Sequence, residues 1–133
     1  MNTRRHIATI ALAGATAAAI VAAPTPAAAS GGGTGVQASG TCSGSTHWTF
    51  KAKHDDGRVE TELEIDSNHN GQTWRVRLWD DGVRYFAGQR VTQAPSGSFV
   101  VRRSTANRAG TDHLTARARN LSNGELCQAH VNL

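Results

Sequence analysis

An all-β antiparallel sandwich is the fold class this sequence predicts. Three features predict it: apolar and polar side chains alternate every second residue, turn signals recur at short intervals, and no stretch carries a helical period. HWTFKAK sets Trp48, Phe50 and Ala52 against Thr49, Lys51 and Lys53. RVETELEID alternates Val59, Thr61, Leu63 and Ile65 with Arg58, Glu60, Glu62, Glu64 and Asp66. TWRVRLWD gives Trp74, Val76 and Leu78 against Arg75, Arg77 and Trp79. Such alternation marks strands with one face in a core and one in water.

Later segments continue the pattern. VRYFAGQRVT and SFVVRRS read as strands; DHLTARAR places Leu114, Ala116 and Ala118 inside with Arg117 and Arg119 outside; ELCQAHVN turns Cys127, Ala129 and Val131 to one side. Asp56-Gly57, Asn70-Gly71, Asp81-Gly82, Pro95-Ser96-Gly97, Ala109-Gly110 and Asn123-Gly124 punctuate them. Aspartate and asparagine tolerate the left-handed backbone, and glycine adopts it freely, so these pairs end strands. About seven short strands with such turns predict an immunoglobulin-like sandwich. The strand order stays open, because the cysteines are not placed as the paired inter-sheet cysteines of antibody domains are.

The chain of 133 residues opens with MNTRRH, an apolar run from Ile7 to Ala23, and PTPAAAS. A short basic start, an apolar middle and small residues before Ala29–Ser30 form a secretory signal, cut after residue 29. The run is rich in Ala and Thr and too short to remain as a membrane span. Arg4-Arg5 leaves the general secretory and twin-arginine routes both open. Cutting 29 of 133 residues leaves 104, one domain, in which twelve Lys and Arg face ten acids. That balance is too even to argue for nucleic acid. Charge is nevertheless unevenly spread: Lys51 to Asp66 holds three bases and six acids, whereas Arg75 to Arg119 holds nine arginines and three aspartates. SGGGTGVQASG, residues 30–40, reads as a flexible Gly/Ser-rich leader, with the sandwich domain at 41–133. In an exported chain the two cysteines, Cys42 and Cys127, are expected to form a disulfide joining the first strand to the last.

TCSGSTHWTFKAK, DDGRVETELEIDSNHNGQTWRVRLWDDG and PSGSFVVRRSTANRAGTD resemble a group of small secreted proteins of high-GC Gram-positive, actinobacterial type, over most of the chain from Thr41 onward. The resemblance implies an exterior compartment and a β fold, and brings no catalytic residue with it.

Two stretches are candidate sites. DSNHNG offers Asp66, Asn68 and Asn70 at the spacing of a calcium loop. The twelfth position of that loop is Arg77, where a carboxylate is needed, and both flanks read as strands, so a polar turn is the expected reading. A second carboxylate brought from another loop, such as Asp55 or Asp112, would favour an ion. The other candidate is the hairpin around Asp81-Gly82. A type I′ turn there pairs Asp80 with Val83, Trp79 with Arg84, Leu78 with Tyr85 and Arg77 with Phe86. Val76, Leu78, Tyr85 and Ala87 would then share the core face. Trp79, Phe86, Arg75, Arg77 and Arg84 would share the opposite one. Aromatic rings among arginines suit an anionic cell-wall polymer, a glycan or a protein partner. In the competing reading this is a packed, solvated ladder whose arginines pair with Glu60, Glu62 and Glu64.

No nucleophile elbow, phosphate loop or histidine pair at metal-ligand spacing stands out, and no cofactor is expected. The sequence thus predicts a monomeric, exported, non-catalytic binding module. A protease inhibitor presenting the loop of Gly71 to Trp74 or of Pro95 to Ser98, or a small hydrolase, is the alternative.

Overall fold

The computed structural model describes residues 34–133; the expected signal peptide, 1–29, and the start of the leader lie outside the described residues. Eight strands follow in order: β1 (Val36–Thr41), β2 (His47–Asp55), β3 (Arg58–Asp66), β4 (Thr73–Asp80), β5 (Val83–Val91), β6 (Ser98–Ala106), β7 (His113–Asn120) and β8 (Leu126–Asn132). They form two four-stranded antiparallel sheets, ordered β1-β2-β3-β6 and β5-β4-β7-β8. The result is an antiparallel sandwich with no helix among the described residues. The likeness to immunoglobulins lies in the layers. The A-B-E-D order of an immunoglobulin sheet is replaced by a meander of the first three strands, with β6 beyond them.

The apolar half of the alternation becomes the core. Phe50, Val59, Leu63, Ile65 and Val101 from the first sheet meet Trp74, Val76, Leu78, Leu114 and Val131 from the second, all nearly or fully buried. Tight turns set the register where the sequence placed them. Asp56-Gly57 and Asp81-Gly82 both take positive φ at the two central positions, with φ of 46° and 72°, and of 48° and 79°. That is the type I′ geometry whose twist matches the strands it joins.

One boundary needs correction. The leader expected to be flexible over 30–40 contains most of β1, which pairs with β2 from Val36↔Ala52 to Thr41↔His47. Val36 and Ala38 pack against the core. Gly40 lies under the Trp48 indole, where a Cβ would stand 2.8 Å from a ring carbon. The glycine that suggested a linker is thus what lets a tryptophan lie across the strand's backbone.

The two sides where the sheets meet are closed differently. At the β1/β8 side Cys42 and Cys127 form the expected disulfide, joining the end of the first strand to the last. Beside it Ser43 N–H donates to the Leu126 carbonyl at 2.8 Å, and Glu125 accepts from the backbone N–H and the hydroxyl of Thr46, each at 2.9 Å. At the β5/β6 side Tyr85 reaches between the sheets, its hydroxyl 2.9 Å from that of Thr61 on β3.

Burial raises the Tyr85 hydroxyl to about 12; the Thr61 hydrogen bond works against this and Asp80 adds repulsion. The folded chain therefore holds the protonated phenol. The stability this contributes is complete below the ordinary value of 10.0 and lost as pH rises through about 12. Because the chain has one tyrosine, phenolate absorbance reads this group alone. Its midpoint is expected near 12 in the folded protein and near 10 in denaturant. A folded midpoint at the lower value would contradict the buried placement.

Candidate functional site

The expected binding hairpin forms with one change of register. Asp80 pairs with Val83 and Trp79 with Arg84 as the turn predicts, but Leu78 then meets Phe86 and Arg77 meets Ala87. Tyr85 is the extra residue of a β-bulge. A slip of one residue reverses every side chain beyond it. Phe86 therefore leaves the expected outer face and packs against the core, while Ala87, expected inside, is exposed. Arg103 of β6 stacks over the Phe86 ring at 4.2 Å and Arg90 at 5.4 Å. These contacts occupy Phe86 at the sandwich side.

The outer face of the second sheet keeps Arg75, Arg77, Arg84 and Trp79, and gains two arginines from β7. Arg75 lies directly across from Arg119, and Arg77 from Arg117. The five arginines are exposed and Trp79 is half-buried, with the Arg117 guanidinium 5.7 Å from its ring centroid. Residues of one face repeat about every 7 Å along a strand and about 5 Å across a pair, so the guanidinium stems form a grid. The alternation in DHLTARAR turned Arg117 and Arg119 outward. Only the pairing of β4 with β7, strands far apart in sequence, brings them to this face.

The carboxylates expected to neutralise this face lie on the other sheet. Glu62 pairs with Arg102 at 2.7 Å and Lys51 at 3.5 Å, and Glu60 pairs with Lys53 at 3.4 Å. Partial burial would raise the Glu62 carboxyl, but the hydrogen bond and charge of Arg102, with Lys51, hold it below its ordinary range. That is opposite to what a general acid needs. Among the described residues the only other ion pair joins Arg108 to Asp80, so none of the five outer arginines has a carboxylate partner. Like charges directly opposite on neighbouring strands destabilise a sheet. Here two such pairs stand side by side.

The DSNHNG loop behaves as a turn. The backbone N–H of Asn68 donates to Asp66 Oδ1 at 3.2 Å, Asn68 has φ 58° and Gly71 has φ 76°. Backbone bonds from Ser67 to Gly97 and from Gly71 to Thr92 tie the loop to the β5–β6 connection. Neither carboxylate that would have completed an ion site is near. Asp55 ends β2, whose start pairs with Asp66, and Asp112 precedes β7, whose start pairs with the end of β4. Both lie at the opposite end of the sandwich.

Fold and site together define a disulfide-linked antiparallel β-sandwich with one charge-paired face and one unneutralised arginine face. Set against known protein families, curated proteins and solved structures, the chain matches none. The disulfide is of the kind that persists in an oxidising compartment. Among the described residues no helix is long and apolar enough to cross a membrane.

Proposed function

We propose that the protein is a secreted, non-catalytic binding module whose outer β5-β4-β7-β8 face holds an anionic polymer of the cell exterior. The observation that carries this reading is the set of five arginines without carboxylate partners: Arg75, Arg77, Arg84, Arg117 and Arg119. Arginine forks suit phosphate and carboxylate groups, and an extended polyanion would relieve the repulsion of the two opposed arginine pairs. Trp79 supplies a flat edge for a sugar or polyol backbone between the charges. The near-even overall charge hides this polarity, because most of the acids sit on the first sheet or at the strand ends.

Beads carrying polyphosphate or polyglutamate test the reading. The protein is expected to be retained at low salt and released as salt screens the contacts. Arg77→Gln with Arg117→Gln is expected to weaken binding at least about tenfold, since two charge-assisted contacts are lost, while leaving stability unchanged or higher. Arg102→Gln, on the paired face, is expected to bind as the unaltered protein does. Unchanged retention in the Arg77/Arg117 variant would rule this face out. Equal retention on duplex DNA would replace the polymer reading with a nucleic-acid one.

A further inference from the structure

At the end of the sandwich away from DSNHNG, three carboxylates converge from two parts of the chain. Asp80 ends β4, Asp81 is the first residue of the I′ turn, and Asp112 precedes β7. Asp112 is fixed by paired backbone bonds with Leu133, and Asp81 N–H donates to the His113 carbonyl at 3.0 Å. One oxygen from each of the three carboxylates lies within 4.8 Å of the other two.

Each carboxylate is held by one oxygen. Asp80 Oδ2 accepts from Arg108 at 2.8 Å and from Thr105 at 3.3 Å. Asp112 Oδ1 accepts from the Arg108 backbone N–H at 3.3 Å, and Asp81 Oδ1 from the His113 backbone N–H at 3.2 Å. The second oxygens of the two buried residues have no partner. Asp80 and Asp112 are each 0% exposed, yet Asp80 Oδ1 and Asp112 Oδ2 are buried without a hydrogen bond. Orphaned oxygens on two buried carboxylates of one cluster are costly unless a cation joins them.

We propose that Asp80, Asp81 and Asp112 form a calcium site. Three carboxylates against the single guanidinium of Arg108 leave a formal charge of about −2, which one divalent cation neutralises. The donors are all oxygen, which selects a hard cation over zinc or copper. Calcium takes oxygens at about 2.3–2.6 Å in flexible geometry, so oxygens up to about 5 Å apart can touch one ion. Asp81, exposed in the turn, leaves room for water to complete the shell. Burial, reinforced by the charge of Asp112 and opposed by Arg108, pushes the Asp80 carboxyl above its ordinary range. The site is separate from the arginine face and does not depend on the polymer reading.

Calcium titrated into chelator-stripped full chain tests the site by calorimetry and by the thermal midpoint. One ion per chain is expected, with affinity in the roughly 0.1–1 mM range of exterior calcium modules. The midpoint is expected to rise by at least about 5 °C at about 10 mM calcium. Asp81→Asn keeps a residue suited to the positive φ of the turn and is expected to fold normally while binding at least about tenfold more weakly. Asp66→Asn, in the loop with the calcium-like spacing, is expected to bind as before. No heat and no midpoint shift at that concentration would overturn the proposal. Binding that survives Asp81→Asn unchanged, or that is lost with Asp66→Asn, would overturn it equally.

Discussion

Protein with both Cys42→Ser and Cys127→Ser is expected to unfold with about 4–5 kcal/mol less free energy than the disulfide-linked chain. The bond joins residues 85 apart, so it restrains nearly the whole unfolded domain, and loop-closure entropy grows with the length closed. A domain of this size commonly holds only about 5–15 kcal/mol in total. The loss should therefore bring the urea midpoint close to the folding limit and make the oxidised protein markedly sensitive to reductant. Native-state effects add to it, because β1 has only one neighbour in its sheet and is partly buried. The bond holds the end of that edge strand to β8. Urea unfolding of the double variant, compared with oxidised protein, measures the effect. A difference under about 1 kcal/mol would show that the clip does not restrain the domain.

Trp74→Ala is the second large effect, at about 3–5 kcal/mol. Trp74 begins the core face of β4, is 0% exposed, and is the largest of the fully buried side chains. Truncation removes its apolar area from the core and leaves a cavity between sheets that adjoining strands hold apart. Trp74→Phe is expected to cost far less than Trp74→Ala. The ring packing is mostly kept, and no hydrogen bond is lost because the indole N–H has no partner in the folded chain. Denaturant unfolding of the two variants gives the comparison. Similar losses for both would mean that the indole N–H, and not the ring, stabilises the core.

The two-residue rhythm made β2, β3, β4, β7 and β8 legible, together with their inward residues and the Cys42–Cys127 link. Local chemistry sufficed there, because a strand between two layers must bury every second side chain. β1 was hidden by its own composition: glycine and serine suggest a tether, and only the Trp48 ring laid over Gly40 explains why such residues suit a strand. The turn at Asp81-Gly82 predicted the first two pairs of its hairpin correctly. The bulge at Tyr85 lay beyond it, because the Thr61 hydroxyl that draws Tyr85 inward sits on another sheet. Phe86 accordingly lies on the face opposite to the one the turn predicts. Arg117 and Arg119, and Asp112 beside Asp80, depend on β4 lying next to β7. That adjacency is set by packing between remote segments, and no spacing in the chain encodes it.

The bulge also bears on self-association. β5 is an outer strand, and a straight outer strand offers a row of free N–H and C=O groups on which a second molecule can add. The extra residue breaks the even spacing of that row, and the Phe86 ring capped by Arg90 and Arg103 sets bulk and positive charge beside it. A chain without the inserted residue would present a flatter, longer template, and fibrous aggregation would be its characteristic failure.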